Sequence, residues 1–120
     1  MWVYSQSSGS IAQNQKVVGT GYSGHGQYKN VAIDVTFVGL GPLPVGLYTI
    51  GLERDDPKLG PCAMPLEPDS KNDMFGRSGF WIHGDSALHA SQASDGCIVA
   101  ALAIRQLIAA SGDVHLVVLP

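Results

Sequence analysis

Chain breakers set the strongest limit on what this sequence can fold into: 15 glycines and 7 prolines punctuate only 120 residues. Proline fixes φ and removes a backbone donor, and glycine supplies the positive φ of tight turns, so the composition suits a turn-rich β protein of short strands. The opening "MWVYSQSSGSIAQ" reads as a hairpin around Ser-Ser-Gly-Ser. Lys16 to Tyr22 and Val31 to Val38 carry β-branched residues that predict strands, separated by the polar, Gly-rich "SGHGQYKN". A strand is expected from Leu47 to Arg54, with Cys62 to Leu66 pairing back on it. Asp69 to Ser78 reads as loop, Phe80 to His83 as a short buried strand, and "DVHLVVLP" as the last strand. One helix is expected, over Ile98 to Ala110, with Ala101, Ile104, Leu107, Ile108 and Ser111 on one side. Ser94 and Asp95 are its N-cap candidates and Gly112 its stop, which places Cys97 at the helix amino end.

Length and charge narrow the function. A chain of this size forms one domain, here residues 1–120, with a single core. Charged residues are 14% of the chain and the net charge is -3, so there is no basic face to neutralise phosphates, and nucleic acid is not an expected partner. Hydrophobic residues at 45% exclude disorder, yet no run approaches the eighteen apolar residues of a membrane span, so no stable membrane insertion is expected. The first residues show no secretory signal. Two cysteines, Cys62 and Cys97, leave the redox compartment open.

The chemistry concentrates in "FWIHGDSALHASQASDGCIVA", Phe80 to Ala100. A thiol attacks only as thiolate, and the positive end of a helix would favour that form at Cys97. Gly96 admits close approach of a substrate carbonyl, and the amides of Gly96 and Cys97 are candidates to hold an oxyanion. Asp95 opposes this, because a neighbouring carboxylate favours the neutral thiol. His83, ending a strand and followed by Gly84 and Asp85, is the candidate base. Competing readings are an inert packed cysteine with a structural histidine, and a zinc site drawn from Asp85, His89 and Cys97, whose spacing fits no closed four-ligand pattern. Histidine precedes cysteine here, the reverse of papain-like hydrolases. Cys62, in "GPCAMP", has no helix start or base beside it and is expected to be dispensable for chemistry.

His83 followed by "ASDGCI" resembles the signature of the L,D-transpeptidase (YkuD-type) family. The ordered blocks "GYSGHGQYKN", "PLPVGLYTIG", "MFGRSGFWIHGD" and "ASDGCIV" resemble more closely the small L,D-transpeptidase-like effectors of type VI secretion systems. The resemblance implies a mainly β, sandwich-like catalytic domain with one helix after the cysteine. It implies Cys97 as nucleophile and His83 as its histidine, flanked by Ser94 and Gly96, with Asp95 where housekeeping enzymes carry histidine. No arginine closely follows the cysteine, so Arg77 and Arg105 are the candidates for gripping a substrate carboxylate, the alternative being that both are structural. Tyr22, Ser23, Asn30 and Asp85 are the other residues expected to face substrate; a plain surface turn is the alternative for the first three. The implied activity is L,D-carboxypeptidase or L,D-transpeptidase action on peptidoglycan stem peptides, without a cofactor. The implied partners are a secretion-apparatus component and a cognate immunity protein, with action in the periplasm of a target bacterium reached without a signal peptide. A catalytically silent peptidoglycan-binding module and a zinc-dependent peptidase are the alternatives.

Overall fold

The computed structural model describes residues 1–85 and 96–120. Ten strands are present among them: β1 (Trp2–Ser5), β2 (Ser10–Gln13), β3 (Lys16–Thr20), β4 (Tyr22–Ser23), β5 (Gly46–Ile50), β6 (Arg54–Asp56), β7 (Gly60–Pro68), β8 (Trp81–His83), β9 (Ile98–Val99) and β10 (His115–Leu119). The one α-helix described, α1, covers Leu102–Ser111. The expected hairpin is β1 and β2, in which Trp2 and Tyr4 alternate inward because successive strand residues point to opposite faces. Segment 62–66 does pair back, as part of β7 against β5 and β6.

Pairing follows one path, β3-β2-β1-β10-β5-β7-β8-β9-β4, with β6 beside β7. The two ends of that path, β3 and β4, are neighbours in sequence, and Gly21 between them donates its N–H to Gly9 O at 2.8 Å. The sheet therefore curls nearly to a barrel, and the mainly β expectation with one helix holds. Most pairs are antiparallel; β1 with β10 and β8 with β9 run parallel. The core gathers Trp2, Tyr4, Leu43, Tyr48, Met64, Ile82, Ile98 and Val118, all nearly inaccessible, and Ile108 brings α1 onto it. No helix among the described residues is long and apolar enough to cross a membrane.

Two local expectations are corrected. Val31 to Val38 is not a strand: Ala32–Thr36 forms a 3-10 turn, with Asp34 N–H donating to Val31 O and Phe37 N–H to Asp34 O. Among the described residues no strand pairs with this segment, and an arginine, Arg77, donates to the Val35 carbonyl instead. The helix begins at Leu102, not Ile98, because Ile98 and Val99 are drawn into the sheet between β8 and β4 and buried. The β-branched pair suits a pleated position better than a helical first turn, and sheet pairing overrides the helical periodicity. The buried helix face is Arg105 and Ile108, while Leu107 is exposed. Gly112 ends α1 as expected, in the left-handed conformation at φ 71°. The N-cap position is Ala101; Ser94 and Asp95 lie outside the described residues, as does His89.

Candidate active site

β8 and β9 bring the candidate pair together. Their parallel register sets Ile82 against Ile98 and His83 against Val99, and Cys97 immediately precedes β9. Ile82 and Ile98 belong to the core, so the alternation of strand side chains turns His83 and Val99 to the opposite face. Tyr22 joins the same row, because β4 pairs it with Val99. Cys97 lies one register step back, beside Trp81, whose backbone N–H donates to Cys97 Sγ at 3.3 Å. His83 thus ends one strand and Cys97 stands just before its parallel neighbour, both buried.

The orientation of His83 follows from one contact. Its Nδ1 lies 2.8 Å from Gly84 O, and a carbonyl oxygen only accepts, so Nδ1 carries the proton. In the neutral ring that tautomer places the lone pair on Nε2.

The helix terminus does not act on Cys97. α1 starts five positions later, and a helix dipole fades within its first turn. The cation near the thiol is Arg77, which is close enough to interact electrostatically with Cys97. Burial lowers the pKa of Arg77, while Tyr48 and Cys97 act to raise it. A guanidinium remains charged over the working range, so it attracts a thiolate formed at Cys97.

Arg77 is only 5% exposed, and its hydrogen bonds go to main chain. Nη1 donates to Val35 O at 2.6 Å and to Pro42 O at 2.7 Å, Nη2 donates to Gly41 O at 2.9 Å, and the guanidinium lies over the Phe80 ring. It is a staple for the 35–42 segment, which is the structural alternative set against a substrate contact. Arg105 is tied to main chain at two of its three nitrogens: Nε donates to Ala100 O at 3.0 Å and Nη1 to Pro61 O.

Gly96 sits directly on this staple. Its φ is +114°, and a Cβ there would lie 2.2 Å from Arg77 Nη2 and 2.9 Å from Phe80 Cε1, so only glycine fits. Its carbonyl accepts from Ser23 Oγ at 3.1 Å, and the same hydroxyl oxygen accepts from Leu43 N–H at 2.7 Å. Ser23 is completely buried and ties segment 96–97 to segment 42–44 from behind. Asn30 Oδ1 accepts from Ser23 N–H at 3.0 Å and from the Tyr4 hydroxyl at 3.4 Å. Of the four residues expected to face substrate, Ser23 and Asn30 are therefore engaged in the scaffold. Tyr22 and Asp85 are joined by a 2.6 Å hydrogen bond from phenol to carboxylate, and both line a cleft of about 510 Å³ between β4 and the start of α1. Lys29 borders the same cleft, its ammonium 5.4 Å from the Tyr22 ring centre. Sequence reasoning passed over Lys29, whose only cue was its place beside Asn30, and over the Trp81 amide, for which a backbone donor leaves no cue.

Cys62 is the contrast. It lies within β7 at φ 55°, not in a turn, and is a free thiol like Cys97. Burial pushes its thiol up, Glu53 and Asp55 add to that, and Arg105 opposes it. Alkylation of Cys62 by iodoacetamide is accordingly expected to be slow at pH 7 and to accelerate only above the ordinary thiol range, and Cys62→Ala is expected to keep wild-type turnover. Labelling read by peptide mass mapping checks this; fast neutral-pH labelling of Cys62 would contradict it. Among the described residues, no three of His, Cys, Asp and Glu gather as metal ligands.

A nearly closed β sheet that sets a histidine at the end of one strand and a cysteine at the entry to the next defines a small mainly β domain with a thiol at its candidate site. The family profile of the Tlde1 domain matches residues 18–115, and the chain belongs to that family. The family is one of type VI secretion effectors, which points to that role for this chain. Comparison with curated proteins and with solved structures found no match.

Proposed function

We propose that the chain is a cysteine-dependent enzyme of peptidoglycan stem peptides, an L,D-carboxypeptidase or an L,D-transpeptidase that exchanges D-amino acids, used as an antibacterial effector. The observation that carries this reading is the placement of His83, proton fixed on Nδ1, on the strand beside Cys97. His83 Nε2 takes the thiol proton, and Cys97 Sγ attacks the carbonyl carbon of the bond between an L and a D centre. The C–N bond breaks, and Nε2–H hands its proton to the departing amine of terminal D-alanine. A thioester to Cys97 remains. Water, or the amine of a D-amino acid or a neighbouring stem, then attacks that carbonyl, gives its proton to His83 and releases the sulfur. Arg77 and the Trp81 amide supply positive charge and a donor to the sulfur through both halves of the cycle.

The substrate lies in the periplasm, so the reading includes delivery by a type VI apparatus into a target cell. It also includes an immunity protein that protects the producer. The test is incubation with purified disaccharide tetrapeptide and mass analysis of the products: loss of one alanine, or its replacement by an added D-amino acid, is expected. Intact tetrapeptide that nevertheless binds would move the assignment to a binding module, and turnover abolished by a chelator would move it to a zinc peptidase. In cells, toxicity is expected when the chain is directed to the periplasm and not when it stays in the cytoplasm. Equal toxicity from both would overturn the wall assignment.

A further inference from the structure

We propose that the cleft between β4 and the start of α1 is a carboxylate-binding subsite, with Lys29 and Arg105 as its cations. The cleft holds about 510 Å³, and Thr20, Tyr22, Lys29, Asp85, Leu102 and Arg105 are among the residues around it. Arg105 is 6% exposed, a burial that charged side chains tolerate only when their donors are satisfied. Nε and Nη1 are satisfied by the Ala100 and Pro61 carbonyls, whereas Nη2 carries no hydrogen bond among the described residues. That nitrogen packs against Gly84, where a Cβ would stand 2.7 Å from it, so the glycine after His83 leaves room for the guanidinium to reach this part of the molecule. Burial also lowers the pKa of Arg105, as expected of a cation short of an anionic partner.

Lys29 has no carboxylate within ion-pair distance among the described residues; its contact is the face of the Tyr22 ring. Among the described residues the carboxylate on the lining is that of Asp85, which accepts from the Tyr22 hydroxyl. Among the described residues of the lining, two cations stand against one anion, in a chain whose net charge is -3. The first turn of α1 opens beside it with no side-chain cap at Ala101, adding backbone donors of the same sign.

Position relates the cleft to the thiol. Val99 lines it and lies two residues along the chain from Cys97, roughly 7 Å at strand rise. A carboxylate held there sits within two residues' reach of a carbonyl at Cys97 Sγ. Its assignment to a stem peptide rests on the proposed function, while the subsite itself does not.

The experiment follows the Arg105 side-chain Nε–H resonance of the labelled, intact chain. The probe is N-acetyl-D-alanine, and N-acetyl-D-alaninamide is its neutral counterpart. A saturable shift with the acid alone is expected, with affinity reduced about fivefold by Lys29→Gln and restored by Lys29→Arg. An unshifted resonance, an equal response to the amide, or an affinity untouched by Lys29→Gln would each overturn the subsite. A second arm measures tetrapeptide turnover, in which Lys29→Gln is expected to raise KM and keep kcat. If the wild-type chain binds the acid as expected but turns over no tetrapeptide, the enzyme reading fails and the subsite stands.

Discussion

Cys97→Ala is expected to abolish release of D-alanine from tetrapeptide stems, by about a thousandfold or more, while the fold persists. The substitution deletes the atom that would form the proposed thioester. Structurally it removes one acceptor, because the Trp81 amide donates to that sulfur, and the loss of a hydrogen bond of this kind amounts to about 1 kcal/mol. His83→Ala is expected to be nearly as damaging, since the thiol proton then has no acceptor. Product analysis by mass, beside a thermal melt of each variant, separates chemistry from folding. Normal D-alanine release by Cys97→Ala would refute the nucleophile assignment, and equal inactivation by Cys62→Ala with its fold intact would point to a metal or an essential disulfide shared by the two cysteines.

Arg77→Leu is expected to have the largest effect on stability of any single polar-to-apolar change described here. It strips the donors from the carbonyls of Val35, Gly41 and Pro42 together and withdraws a cation from over Phe80. A buried carbonyl left without a partner loses about 1 kcal/mol or more, so the three amount to roughly 3 kcal/mol or more. For a domain of this size that is a fall in Tm of about 10 °C or more. Arg77→Lys keeps the charge but cannot fork to three carbonyls, and is expected to fall between the two. Coincidence of the Leu variant's melt with wild type would show that the 35–42 segment is held by other contacts. Activity adds a separate reading: Arg77→Lys is expected to retain more turnover than its stability loss alone would suggest, because a positive charge near Cys97 survives.

The sequence exposed the strands that carry strong alternation and the turns that carry glycine, hence the hairpin, β7, β8 and the last strand. It misled at Ile98 and Val99 because apolar residues beside good helix formers satisfy a helical period and a buried strand alike. The choice was made by distant partners, β4 and β8, which no local window contains. The same holds for Arg77. Its residue type suggested a grip on a carboxylate, but the three carbonyls that engage it lie thirty-five or more positions away along the chain. Cys97 and His83 were legible as a pair of reactive residue types; the setting of the thiol was not, because a main-chain donor at Trp81 and a cation across the fold took the place assigned to a helix end. The scaffold bonds of Ser23 to Gly96 O and of Asn30 to Ser23 N–H were likewise invisible, because their partners lie elsewhere in the chain.

The position of β10 has a kinetic consequence. It lies between β1 and β5 in the pairing path, paired in parallel with β1 from Trp2↔Leu116 to Ser5↔Leu119. Strands far apart in the sequence thus meet in the interior of the sheet: the hairpin finds β3 at once, but β1 gains its second neighbour only when β10 arrives. Closing the sheet therefore requires a long loop closure, which slows the search for the native state. Until residues 115–119 dock, β1 and β5 have no strand to join them, and the curl that brings β3 round toward β4 stays open.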